Sequence, residues 1–125
     1  MGYLLDTNVL INYVAERYNH QQLLQLDTIV DAAFNVSVIS KIETLGHNGD
    51  PTEMIKMVAF VQVANILPLS DDVVLQTIAL RKALRIKTPD AIIAATALVN
   101  QLTLLTHDAG FNKVPGLIVI DPNML

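Results

Sequence analysis

The chain has 125 residues, 52% of them hydrophobic and 16% charged, with a formal charge of −4 and no cysteine. This is too apolar and too weakly charged for a disordered segment, and it excludes disulfides, thiolate metal sites and thiol nucleophiles. The negative sign is wrong for holding nucleic acid by bulk charge, so such a substrate requires a bound cation and a local basic rim.

The length suits a single domain over residues 1–125. The opening MGYLLDTN offers no basic segment followed by a long apolar stretch. The longest apolar runs, Ala91 to Ala95 and Ala97 to Val99, fall far short of the roughly 18 residues that a membrane span needs. A cytoplasmic protein with no membrane association is the expectation, and the high apolar fraction suggests a surface for a protein partner.

In chain order, Gly2 to Leu5 reads as a short strand ending at Asp6, after which Val9, Leu10, Tyr13 and Val14 recur at helical spacing. A second helix covers about Gln22 to Ala33, and the β-branched run Asn35 to Ile39 reads as a buried strand. Ser40 then opens a helix. Asp50-Pro51 is a cap and first-turn proline for a helix running to about Ala64, with a strand at Ile66 to Leu69. Ser70-Asp71-Asp72 starts a helix that ends near Arg85, acids at its positive end and bases at its negative end. Thr88-Pro89 caps and starts the helix from Asp90 to about Asn100, and Thr103 to Thr106 and Leu117 to Ile120 read as two final strands. Strands alternating with helices predict an α/β fold, a three-layer α/β/α sandwich around a parallel sheet of about five strands.

Four acids stand out by position. Asp6, Glu43 and Asp108 each follow a predicted strand, and Asp90 opens a helix bordering the same edge, where open parallel sheets bind ligands. Each also has an ordinary explanation. Asp6 is a favoured N-cap, Ser40-Lys41-Ile42-Glu43 fits a capping box, Asp90 suits a first helical turn, and His107-Asp108-Ala109-Gly110 is a turn sequence. Capping accounts for each residue singly but not for carboxylates at four positions along one edge. Brought together they repel one another unless neutralised, and no arginine lies within three residues of any of them. A hard divalent cation, Mg²⁺ or Mn²⁺, resolves the conflict in an all-oxygen site.

These segments resemble the PIN domain, and more closely the VapC-like toxins of bacterial toxin–antitoxin pairs. The resemblance runs over nearly the whole chain in four blocks. They are Leu4-Leu5-Asp6-Thr7-Asn8, Ser37 to Gly46 with Glu43, Pro89 to Ala97 with Asp90, and Leu104 to Phe111 with Asp108. Many relatives carry an acid just before the final phenylalanine, where this chain has Gly110. The resemblance implies hydrolysis of RNA phosphodiesters by metal-activated water, leaving a 5′-phosphate and a 3′-hydroxyl. In that scheme Asp6 and Asp90 are the principal metal ligands, while Glu43 and Asp108 hold metal waters or a second ion. Thr7, Asn8 and Thr106 orient the carboxylates by hydrogen bonding. The resemblance also implies a small antitoxin that covers the acidic edge, and pairing of the chain with itself as a homodimer. The apolar faces of the first two helices, from Leu10, Tyr13 and Val14 to Leu23, Leu24, Leu26, Ile29 and Val30, are candidate partner surfaces or ordinary core.

Arg81, Lys82, Arg85 and Lys87 form the only dense basic run and lead directly into Asp90, as a candidate RNA rim or as bases at a helix C-terminus. His107 reads as a turn histidine or a phosphate contact. His20 and His47 carry no signal, and Tyr3, Tyr13 and Tyr18 are too scattered for base stacking. The rival functions differ in class. An aspartyl-nucleophile phosphatase needs a second Asp where Asn8 stands, and a receiver domain needs a phosphorylatable Asp after the strand at Val36 to Val38. A PIN scaffold kept only for binding needs no acids at all.

Overall fold

In the computed structural model, which describes residues 2–125, five short parallel strands form one sheet. They are β1 (Tyr3–Leu5), β2 (Asn35–Ser37), β3 (Asn65–Leu67), β4 (Thr103–Leu105) and β5 (Val119–Ile120), in the order β3-β2-β1-β4-β5. The helices are α1 (Thr7–Val14), α2 (His20–Ala32), α3 (Val38–Leu45), α4 (Pro51–Val63), α5 (Asp71–Ala83) and α6 (Thr88–Val99), with short 3₁₀ turns at Ala109–Lys113 and Pro122–Met124. The expected α/β sandwich on a five-stranded parallel sheet is the observed architecture.

The layering follows from the period of two along each strand. Leu4 and Leu104 point into a core shared with Val73 and Leu80 of α5 and Ile93 of α6. Their neighbours Leu5 and Leu105 point the other way, to Val9 and Leu10 of α1, Leu26 of α2 and Met57 of α4. With both faces covered, the strands need no polar side, which is why they read as apolar runs. In α6 every residue from Ala91 to Ala97 is buried, and its four alanines let α5 and the sheet approach closely. The α1 face Leu10, Tyr13 and Val14 is core, not a partner surface; in α2, Leu26 is fully buried while Leu24 is 53% exposed.

The order 3-2-1-4-5 means that the chain leaves β1 on one side to β2 and returns on the other as β4. The crevice beyond the strands' carboxyl ends therefore opens between β1 and β4. The Asp6 N–H donates to the Leu105 carbonyl at 3.0 Å, which fixes the first acid at that switch point.

Two element boundaries differ from expectation in ways that matter. The strand expected to run to Ile39 stops at Ser37, whose hydroxyl accepts from the Ile39 N–H at 3.0 Å and caps α3. The capping box expected at Ser40 and Glu43 is therefore not formed, because Ser40 lies inside the helix and is fully buried. At α6 the N-cap position belongs to Lys87 rather than Thr88, with no side-chain cap bond. The remaining boundaries shift by at most two residues, and α2 gains a capping box between Asn19 and Gln22.

Candidate active site

Asp6 sits at the end of β1 as the N-cap of α1, and both of its oxygens are engaged. Oδ1 accepts from the Thr7 N–H at 2.8 Å, and Oδ2 accepts from the Thr106 hydroxyl at 2.7 Å. Thr106 in turn accepts from the Asp108 N–H at 3.0 Å, so one hydroxyl joins the first acid to the turn carrying the last. Asp108 Oδ1 accepts from the Gly110 N–H at 2.8 Å. Across the edge, the Thr7 hydroxyl donates to Glu43 Oε1 at 2.7 Å and lies 3.0 Å from the Ser40 hydroxyl, tying α1 to α3. Thr7 and Thr106 thus hydrogen-bond acids as expected. Asn8 is exposed and hydrogen-bonds none of the four among the described residues.

Burial pushes the Asp6 carboxyl above its ordinary value, against the pull of the Thr106 and Thr7 hydrogen bonds, and the charges of Asp90 and Glu43 add to the rise. Asp90 is raised for the same first reason, with the charges of Asp108 and Glu43 adding and those of Lys87 and Lys113 opposing. The four carboxylates therefore feel one another across a single edge, and none takes part in an ion pair among the described residues; the pairs there are Arg17 with Glu53 and His107 with Asp121.

A cleft of about 290 Å³ opens beside them, lined by Asp90 and Asp108 together with Arg85, Lys87 and Lys113. Asp6 and Glu43 do not line it. The basic run read from sequence is split by the fold. Arg85 and Lys87 face the cleft, whereas Arg81 ends α5 and spends its guanidinium on the Ile86 carbonyl at 2.9 Å, and Lys82 lies outside. Lys113 was not legible as a member because it arrives from a distant 3₁₀ turn; its ammonium bonds the Arg85 carbonyl. A second constellation also escaped the sequence reading. The Tyr18 hydroxyl meets His107 Nε2 at 2.6 Å, and His107 Nδ1 meets Asp121 at 2.9 Å, with the Tyr18 and His107 rings stacked. His107 is thus half-buried between two partners, not a free turn histidine, and burial pushes the Tyr18 hydroxyl up to about 12.

The donor chemistry fits a hard divalent cation, being oxygen only and unneutralised by any paired base. Among the described residues, however, no three His, Asp or Glu side chains close into a cage by themselves.

A parallel α/β domain with a cluster of carboxylates, none in an ion pair among the described residues, at its strand-end switch point is the class that fold and site define. The chain belongs to the PIN-domain family, whose sequence pattern matches residues 3–117. Among solved structures it is similar to a chain of the Klebsiella pneumoniae toxin–antitoxin complex, at 28% identity and TM-score 0.75, over 97% of this chain and 98% of that one. It shares the fold of a chain in Rickettsia felis VapBC2 bound to promoter DNA, at 21% identity and TM-score 0.78, over 96% and 98%. The same holds for Neisseria gonorrhoeae FitAcB, at 24% identity and TM-score 0.76, over 98% and 99%. No curated protein sequence matches it significantly. No helix among the described residues is long and apolar enough to cross a membrane.

Proposed function

We propose that this chain is a metal-dependent endoribonuclease, the toxin of a toxin–antitoxin pair, as the similarity to a chain of the K. pneumoniae complex supports. The observation that carries the reading is the set Asp6, Glu43, Asp90 and Asp108, mutually repelling and without a paired base. Evolution of a stable fold alone gives no reason to hold such a cluster, since each unneutralised charge is a cost. Bound Mg²⁺ or Mn²⁺ supplies the missing charge, an acidified water and stabilisation of a phosphoryl oxygen.

The chain's own residues do the rest. Asp6 and Asp90 would hold the cation, and Glu43 and Asp108 would supply further carboxylate oxygens beside it. Thr106 and the Thr7 N–H fix the Asp6 rotamer, and Thr7 does the same for Glu43, which accepts a proton from the attacking water. Addition of that water at phosphorus and departure of the 3′-oxygen, which takes up a proton from solvent, leave a 5′-phosphate and a 3′-hydroxyl. A small antitoxin suppresses the activity in the cell. The exposed apolar Ile42 and Leu45 of α3, the helix that carries Glu43, and Ile55 and Val58 of α4, which packs against α3, offer it a surface.

The test is purified protein with single-stranded RNA in Mg²⁺, Mn²⁺ or chelator. Cleavage is expected only with metal, and Asp6→Asn, Asp90→Asn and Glu43→Gln are each expected to remove most of it without loss of the folded far-UV spectrum. Full activity in all three variants would overturn the reading and leave the binding scaffold. In cells, induction is expected to arrest growth, Asp6→Asn is not, and the short neighbouring gene is expected to restore growth and co-purify.

A further inference from the structure

The cleft beside the acids has a wall that the hydrolytic chemistry leaves unexplained. Arg85, Lys87 and Lys113 come from two separate parts of the chain and line one space of about 290 Å³ with Asp90 and Asp108. Their donors are largely uncommitted. Among the described residues Arg85 and Lys87 make no side-chain hydrogen bond or ion pair, and Lys113 spends one of its three donors on the Arg85 carbonyl. That bond joins the turn bearing Lys113 to the segment bearing Arg85, which holds the wall together. Arg81, by contrast, does not line the cleft and spends one guanidinium nitrogen on the Ile86 carbonyl at the end of α5.

Three cations next to carboxylates, yet in no ion pair with them, fit an anion that enters between. The volume lies at the lower edge of small-ligand clefts, about 300 Å³, which is room for one nucleotide unit and not for a paired duplex. Phe111 borders the cleft but is 2% exposed, and Tyr18 is already stacked on His107, so no aromatic face is offered to a base. Ile86 is the other apolar border. Contacts of this kind position a backbone without reading its sequence.

We infer that Arg85, Lys87 and Lys113 form a phosphate subsite for single-stranded nucleic acid, which seats the nucleotide next to the bond at the acids and tolerates any base. The subsite rests on the nuclease reading for the strand's purpose but is tested by binding alone.

The experiment is fluorescence anisotropy of short labelled oligo(U) and oligo(A) RNA in chelator, where cleavage is not supported, with salt varied from about 50 to 200 mM. The variants are Arg85→Gln, Lys87→Gln and Lys113→Gln, with Lys82→Gln and Lys56→Gln as controls for exposed charge elsewhere. Each wall variant is expected to lower the log–log salt slope by about 0.7 and to weaken binding about fivefold near 0.1 M salt, equally for both sequences, with the controls unchanged. Equal losses in walls and controls would mean diffuse attraction and overturn the subsite, as would absence of binding by the unaltered chain. A duplex of mixed sequence that binds as tightly as the single strands would overturn its strand preference. If the unaltered chain cleaves RNA while the wall variants bind normally, the subsite fails and the nuclease stands. If it cleaves nothing while the wall variants lose binding selectively, the subsite stands and the nuclease fails.

Discussion

Asp6 serves two ends that usually compete. As an N-cap it stabilises α1, and as a buried carboxylate it destabilises the folded chain whenever it is ionised. The unfolded carboxyl titrates near 3.8 and the folded one higher, so between those values the folded chain binds more protons and stability falls as pH rises. Above the raised value the whole penalty is present. Asp6→Asn keeps an oxygen for the Thr7 N–H, and its amide can donate to Thr106, so it removes the charge but not the cap. In metal-free buffer at pH 7 it is expected to raise the melting temperature, by roughly 3 to 5 °C per kcal/mol relieved, with the gain shrinking toward pH 4. A loss of stability at pH 7 that does not depend on pH would show that the charge is not the cost. Gly110 is the other informative residue, standing where many relatives have an acid. A Cβ there would lie 2.9 Å from Asp108 Oδ1, so the glycine leaves space for that carboxylate to fold onto the turn. Gly110→Ala meets only the end of a side chain, and the expected outcome is a stability change within about 0.5 kcal/mol and slower cleavage as Asp108 is displaced. Melting curves and single-turnover cleavage check the two halves separately. The acids stood out in the sequence because each was expected just past a strand or at a helix start; in the structure Asp6 and Asp108 follow β1 and β4, whereas Glu43 and Asp90 lie within α3 and α6. Tyr18 and His107 were not, since they are 89 positions apart and nothing local marks either.

At the scale of elements, the passage from β2 into α3 shows where local reading fails. Val36, Val38 and Ile39 are all strand formers, and a continuous strand is the natural inference from them. Ser37 breaks it by capturing the Ile39 N–H, and Ile39 then packs on the core from a helix. Tertiary packing decides between the two states, and neither propensity nor period can see it. The consequence falls on Glu43, which the shifted helix start removes from any capping role and leaves to the Thr7 hydroxyl. Ser37→Ala is expected to cost about 1 kcal/mol in urea unfolding, as a lost N-cap does. Ser40→Ala, in the position that sequence alone makes the cap, loses only its hydroxyl contact with Thr7 and is expected to cost less. A larger loss for Ser40→Ala than for Ser37→Ala would contradict the observed helix start. Helices with unambiguous start signals were read well. Asp50 accepts from the Thr52 and Glu53 N–H groups, and Ser70 accepts from the Val73 N–H, where the sequence places both caps.

For the whole molecule, the parallel sheet and its layering followed from alternation of strands and helices, but the strand order β3-β2-β1-β4-β5 and the destination of the apolar surplus did not. The early helices, marked as candidate surfaces, mostly supply core, and the exposed apolar side chains lie elsewhere. On α5 these are Val74, Leu75 and Ile78, the second of them 65% exposed. The same helix carries Asp71 and Asp72 in its first turn and Arg81 and Lys82 in its last. Two copies laid antiparallel about a two-fold axis would set the acids of each against the bases of the other across the apolar centre, the self-complementary arrangement that a symmetric dimer requires. Because α5 packs on the α6 side of the sheet and α4 on the opposite side, pairing through α5 leaves the α4 surface open to the proposed antitoxin. The chain alone is therefore expected to sediment as a dimer at micromolar concentration, and Leu75→Glu is expected to sediment as a monomer. Since Leu75 is exposed, the substitution is expected to leave the far-UV spectrum unchanged and to cost the monomer within about 0.5 kcal/mol. High salt is expected to weaken the dimer through its end charges without abolishing it, because the apolar centre is unscreened. An unaltered chain that sediments as a monomer throughout this range, or a Leu75→Glu dimer of undiminished affinity, would remove α5 as the pairing surface.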